Sequence, residues 1–129
     1  GDVTCAPDAT VAYVRPDDVD ALVIPGGYSP DHLRTDDAMV RFVRAVADRG
    51  RPVAAICHAG SLLVEAGVVA GRTVTSWPSI RTDLVNAGAA WMDQEVVVDG
   101  NLVTSRQPAD LPAFVATLIG QLEDSPIRV

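Results

Sequence analysis

The chain has 129 residues, 48% of them apolar and 21% charged, which is ordinary for a globular domain and excludes a disordered or low-complexity chain. Ten basic residues against seventeen acidic ones leave a net charge of −7, which argues against nucleic-acid partners and anionic membrane surfaces. No apolar run approaches the roughly 20 residues of a membrane-spanning helix, so no spanning segment is expected.

In chain order, Thr10-Val11-Ala12-Tyr13-Val14 carries the alternation of a short strand, and Pro16-Asp17-Asp18 reads as a turn. Ala21-Leu22-Val23-Ile24 is a continuous apolar run ended by Pro25-Gly26-Gly27, the pattern of a strand buried on both faces. Asp36 and Asp37 open a helix with carboxylates in its first turn, where the helix dipole favours them. Met39, Phe42, Val43 and Val46 supply its apolar face, and Gly50 its C-terminal cap. A second apolar run, Val53-Ala54-Ala55-Ile56, stops at Cys57-His58-Ala59-Gly60, and Ser61 to Ala66 reads as a helix closed by Gly67.

Arg72 to Thr75 predicts a short strand, and Ile80 to Ala87 a helix capped by Gly88. Glu95 to Val98 and Leu102 to Ser105 flank Asp99-Gly100, a hairpin or tight-turn signal. Leu111 to Leu122 is a final amphipathic helix, with fraying expected beyond it. Strands alternating with helices specify an α/β fold, a doubly wound, mostly parallel sheet with helices on both faces. There is no internal repeat and no linker, so residues 1–129 read as a single domain.

All ten basic residues are arginine, so there is no lysine for a Schiff base, a pyridoxal phosphate or a Walker-type phosphate site. Cys5, Cys57, His32 and His58 lack the CxxC, HxxxH or HExxH spacing of a metal site, so neither a metal nor a cofactor is expected. Two cysteines far apart, with no signal-like leader, fit a reducing cytosol and a cytoplasmic location. Cys5 and His32 read as packing or surface residues.

Ligands of open α/β sheets bind beyond the carboxyl ends of the strands, where Pro25-Gly26-Gly27 and Cys57-His58-Ala59-Gly60 both fall. A cysteine at a strand-to-helix turn exposes its sulfur, and the following helix N-terminus favours the thiolate. Glycines after Ile24 allow backbone N–H groups to approach a substrate, as an oxyanion hole requires. Read alone, Cys57 is either a small buried hydrophobe or a nucleophile, and Gly26-Gly27 is a plain turn; Tyr28, Ser29 and Pro30 exclude a GxGxxG dinucleotide loop.

Asp20 to Asp31 (DALVIPGGYSPD) and Pro52 to Gly60 (PVAAICHAG) resemble the ThiJ/PfpI family, part of the class I glutamine amidotransferase-like superfamily. Thr75 to Ile80, Asp83 to Gly88 and Glu95 to Arg106 with Pro108 carry the resemblance as far as Leu122. It implies a flavodoxin-like fold and a cysteine hydrolase acting as an intracellular peptidase or amidase, or as a deglycase or glyoxalase-type enzyme on methylglyoxal-derived carbonyls. Cys57 is then the nucleophile and His58 its imidazole partner, with the backbone at Gly26, Gly27 and His58 holding the oxyanion. The group orienting His58 is a carboxylate given by a neighbouring subunit, at the position of Asp31, which otherwise reads as a turn or N-cap residue. The same resemblance implies a homo-oligomer, a dimer or a hexamer. The family starts with a strand, a helix and a second strand whose glutamate hydrogen-bonds the nucleophile, and Gly1 stands after that segment. A fragment or cleaved chain is therefore expected. Two other classes of function stay open: a stress-response redox sensor or chaperone-like protein with an oxidisable Cys57, and an inactive structural module. Amide transfer from glutamine is disfavoured, because no histidine follows His58.

Overall fold

The computed structural model describes residues 9–27 and 29–123. In chain order the elements are β1 (Leu22–Ile24), α1 (Ser29–Leu33), α2 (Asp37–Asp48), β2 (Val53–Ile56), α3 (Gly60–Glu65), β3 (Thr73–Val74), α4 (Arg81–Asn86), β4 (Ala90–Trp91), β5 (Val97–Asp99), β6 (Leu102–Ser105) and α5 (Leu111–Glu123). The main sheet has the order β1-β2-β6-β5. Its first three strands run parallel, and β5 returns antiparallel along the edge. β3 and β4 pair with each other as a separate parallel ribbon.

The sheet takes its shape from two apolar runs. All four residues of β2 are buried, and its odd and even side chains go to different cores. Val53 and Ala55 join Val43, Val46, Leu62 and Leu63 of the helices on one face, whereas Ala54 and Ile56 meet Phe114 and Leu118 of α5 on the other. A strand covered on both sides needs no polar alternation, which is why it reads as a continuous run. α2 begins where Asp36 Oδ1 accepts from the backbone N–H groups of Ala38 and Met39, at 3.0 and 3.3 Å, relieving two of the orphan donors of its first turn.

Most expected elements stand within a residue or two of their sequence bounds, the usual uncertainty of helix and strand ends. The exception is Thr10 to Val14, which forms a 3₁₀ turn over Val11–Tyr13. No strand lies beside it among the described residues, and Tyr13 is left 86% exposed. Alternation stabilises a strand only when one face is buried. Two elements were not anticipated. α1 is a single turn begun by Ser29-Pro30, too short to show a period. β4 is two residues long and is defined only by its pairing with β3. Cys5 and the fraying expected at the C-terminus lie outside the described residues.

Candidate active site

β2 arrives extended at Ile56, with φ −125° and ψ 149°. Cys57 then turns to φ 64°, and among the described residues it is the one non-glycine with positive φ. That conformation costs an ordinary residue about 1 kcal/mol or more and persists only where the surroundings impose it. Here the surroundings do: the Cys57 carbonyl accepts from Trp77 N at 3.1 Å, and the His58 carbonyl accepts from Ser61 Oγ at 2.9 Å. The chain passes through a 3₁₀ turn, Cys57–Ala59, into α3. The result is a sharp strand-to-helix elbow with a half-buried thiol at its bend.

The two glycines after β1 serve this elbow for different reasons. A Cβ on Gly26 would lie 2.6 Å from Cys57 Cβ and 3.4 Å from its Sγ, so the missing side chain is the space the cysteine occupies. Gly27 has open space around it but a φ of 85°, so its requirement is conformational. The plain-turn reading therefore accounts for Gly27 and not for Gly26.

Three hollows meet at the elbow. One, of about 240 Å³, is lined by Pro25, Gly26, Ile56, Cys57, Pro108 and Leu111 and is almost wholly apolar. A second, of about 330 Å³, runs past Gly27, Cys57, His58, Trp77 and Pro108. A third, of about 280 Å³, is the most polar of the three, with Asp31, Arg34, His58, Ser61 and Asp83 on its walls beside Gly27 and Ile80. Cys57 borders the first two and His58 the last two, so thiol and imidazole share the middle hollow.

Of the residues expected at the site, Cys57, His58, Gly26 and Gly27 come together. Asp31, exposed on α1, stands on the rim of the polar cleft. Among the described residues no hydrogen bond joins it to His58, whose Nε2 is 3.2 Å from Ser79 Oγ. The imidazole also lies 6.0 Å from the Trp77 ring, tilted by 32°. His32 is exposed on α1, the surface position expected for it.

Pro108 belongs to the turn after β6, and that turn is clamped. Asp110 Oδ2 accepts from the Arg106 backbone N–H at 3.1 Å and from its Nε at 2.9 Å, and Oδ1 accepts from Nη2 at 3.0 Å. Arg106 Nη1 also donates to Asp93 at 2.8 Å. Asp110 is only 3% exposed. Hydrogen bonding from Arg106 holds its carboxyl below the usual range, outweighing burial, which acts the other way. Asp110 and Asp93 in turn push the Arg106 guanidinium further up.

Trp77, Ser79, Pro108 and the Arg106–Asp110 pair were not anticipated. For Pro108 and the Arg106–Asp110 pair the available signal was positional: β6 runs parallel to β2, and the loop after it opens on the same sheet edge as the loop after β2.

This geometry has relatives. The DJ-1/PfpI family profile matches residues 1–121. The chain belongs to the DJ-1/PfpI family. Deglycase PfpI of Pyrococcus furiosus is 47% identical over 116 residues, which is 90% of this chain and 70% of that protein. General stress protein 18 of Bacillus subtilis is 50% identical over 117 residues, 90% of this chain and 68% of the relative. Among solved structures, a two-domain protein of Anabaena variabilis with DJ-1/ThiJ/PfpI-like and ferritin-like domains superimposes with a TM-score of 0.89 at 40% identity. The match takes in 90% of this chain and spans 33% of that structure. The fold is thus that of the DJ-1/PfpI family, α/β with a mostly parallel sheet. Among the described residues no helix is long and apolar enough to cross a membrane.

Proposed function

We propose that this DJ-1/PfpI domain is a cysteine hydrolase in which Cys57 attacks a substrate carbonyl carbon. The observation that carries the reading is the backbone of Cys57, held at φ 64° against Gly26 at the end of β2. A strained, supported bend presents the sulfur to the hollows beside it, which a merely packed cysteine would not require. His58, on the same hollow as the thiol, takes the thiol proton and returns it to the leaving group. Backbone N–H groups at Gly27 and His58 hold the developing oxyanion. On an amide the amine leaves and water hydrolyses the thioester. On a methylglyoxal adduct the amine or thiol leaves C1, and a proton passes from C1 to C2. That transfer oxidises C1 to a lactoyl thioester as it reduces the C2 ketone to an alcohol, and water then releases lactate.

The hollows and the relatives' names support a substrate class. The apolar space beside Sγ suits a small aliphatic group, such as the methyl of a methylglyoxal adduct, and Deglycase PfpI supports deglycation. Cleavage of a peptide or amide bond uses the same residues. Asp31, on the cleft that holds His58, adds negative charge at the rim. In a homo-oligomer, a dimer or hexamer, a neighbouring subunit would present its own carboxylate there. The test is lactate release from methylglyoxal-treated N-acetylarginine and N-acetylcysteine. The wild-type protein should release lactate, and Cys57→Ala should lose at least about a thousandfold in rate. Lactate released equally by the variant would overturn the nucleophile assignment.

A second reading has an observation of its own. Cys57 is a half-buried free thiol, and a close relative is a general stress protein. Oxidation of Cys57 to a stable sulfinic acid, with no turnover of any carbonyl substrate, would make the protein a redox sensor instead.

A further inference from the structure

We infer that Ser79 is a positioning residue for the imidazole of His58, acting from within the same chain. The inference deepens the reading of Cys57 and His58 as nucleophile and proton carrier, and rests on it.

The imidazole is held from two sides by one short segment. Ser79 Oγ lies 3.2 Å from Nε2, and the Trp77 ring lies 6.0 Å from the ring centre at a 32° tilt. That segment is itself fixed. Trp77 N donates to the Cys57 carbonyl at 3.1 Å, and Ile80 N closes a 3₁₀ turn on the Trp77 carbonyl at 3.2 Å. Ser76 Oγ donates to the Trp77 carbonyl at 2.9 Å and accepts from Trp91 Nε1 at 3.0 Å, tying the segment to β4. Ile80 is buried, and a Cβ on Gly60 would lie 3.2 Å from its Cδ1. Ser79 is therefore delivered by a turn anchored to the elbow, to β4 and to the start of α3. A hydroxyl on such a turn limits rotation of the ring it touches.

The chemistry suits a proton carrier. A serine hydroxyl both donates and accepts, so it can bond Nε2 in the neutral ring and in the imidazolium alike. With Ser79 Oγ accepting from Nε2–H in both states, Nδ1 is left to take and return the proton that moves. The charged groups around the ring are Asp31 from α1, Arg34 in the turn after it and Asp83 from α4, all on the polar cleft. Arg34 is paired with Glu65 at 3.3 Å. Among the described residues none of these three has a hydrogen bond to the imidazole, and Ser79 does. Cys57, His58 and Ser79 are thus brought together within one chain, beside any carboxylate that a neighbouring subunit adds.

The experiment compares wild type, Ser79→Ala, Ser79→Thr and Asp31→Asn by steady-state lactate release and by alkylation of Cys57 with iodoacetamide from pH 6 to 10. Ser79→Ala should lower kcat about fivefold with KM unchanged, the usual worth of one hydrogen bond. It should also slow alkylation severalfold near neutral pH but not above the ordinary thiol pKa of about 8.5. Ser79→Thr keeps the hydroxyl and should restore both. Ser79 is exposed, so the substitutions should not unfold the chain, and a circular dichroism melt checks this. The inference is overturned if Ser79→Ala matches wild type in both assays, whether or not Asp31→Asn lowers kcat. It is overturned too if Ser79→Thr fails as Ser79→Ala does. If the wild-type chain releases no lactate while Cys57 alkylation still responds to Ser79, the hydrolase reading fails and the positioning role stands.

Discussion

The turns after β2 and β6 start from the same place and are built in opposite ways. Ile56 and Ser105 are register partners on adjacent parallel strands, so Cys57 and Arg106 are the next residues of two neighbouring chain segments. Both turns wall the apolar hollow, one through Cys57 and the other through Pro108. The β2 turn stores backbone strain and leaves its side chain uncommitted, half-buried and free. The β6 turn has ordinary backbone and commits its side chains fully: a nearly buried carboxylate takes three hydrogen bonds from one arginine, which also reaches Asp93. Reactivity needs an unsatisfied group in a fixed place, and a fixed place needs satisfied groups around it. The two turns divide those requirements between them.

The sharpest way to break that division is Cys57→Gly. Glycine adopts positive φ without strain, so the variant should lose all lactate release yet gain up to about 1 kcal/mol in stability, less the greater freedom of glycine in the unfolded chain. Urea unfolding of variant and wild type checks this, and a clear loss of stability would show that the elbow is not strained. Gly26→Ala attacks the same turn from β1. Its Cβ would fall 2.6 Å from Cys57 Cβ, so the elbow must shift, with activity down at least about tenfold and stability lower by about 1 to 3 kcal/mol. An unchanged rate of Cys57 alkylation in that variant would mean the loop yields and the cysteine does not.

Asp110→Asn tests the other turn through pH. The folded state holds this carboxyl below its ordinary value, so its contribution is present above about pH 3.9 and is lost as pH falls through the depressed folded value. At pH 7 the variant should be less stable by about 2 kcal/mol, and its difference from wild type should shrink as the pH drops below 4. Denaturant curves at pH 7 and pH 3 measure it. A difference independent of pH would show that packing, not charge, is what the clamp supplies.

Much of this was legible from residues read in order. Two apolar runs ending in Gly-Gly and in Cys-His marked two parallel strands and the edge on which the elbow and its hollows lie. Asp36 capped the helix it was expected to open, and Asp99-Gly100 closed the β5–β6 hairpin, with Gly100 at φ 58°. Other positions misled or stayed silent. Thr10 to Val14 alternates like a strand, but among the described residues no strand lies beside it. Ser79, which makes the hydrogen bond to the His58 ring from 21 positions beyond it, carried no signal of that role.

The sequence by itself determined the α/β alternation, the cores on both faces of β2 and the bend that carries Cys57. These follow from local facts, namely which residues are apolar, at what period, and where a glycine or proline stops them. Only the tertiary structure decided that Gly26 packs on the cysteine, that Trp77 and Ser79 close on the imidazole, and that Arg106 clamps Asp110 beneath Pro108. Those contacts depend on how separate segments meet at one sheet edge. No periodicity along the chain records such a meeting, because its energy is spent between elements and not within them.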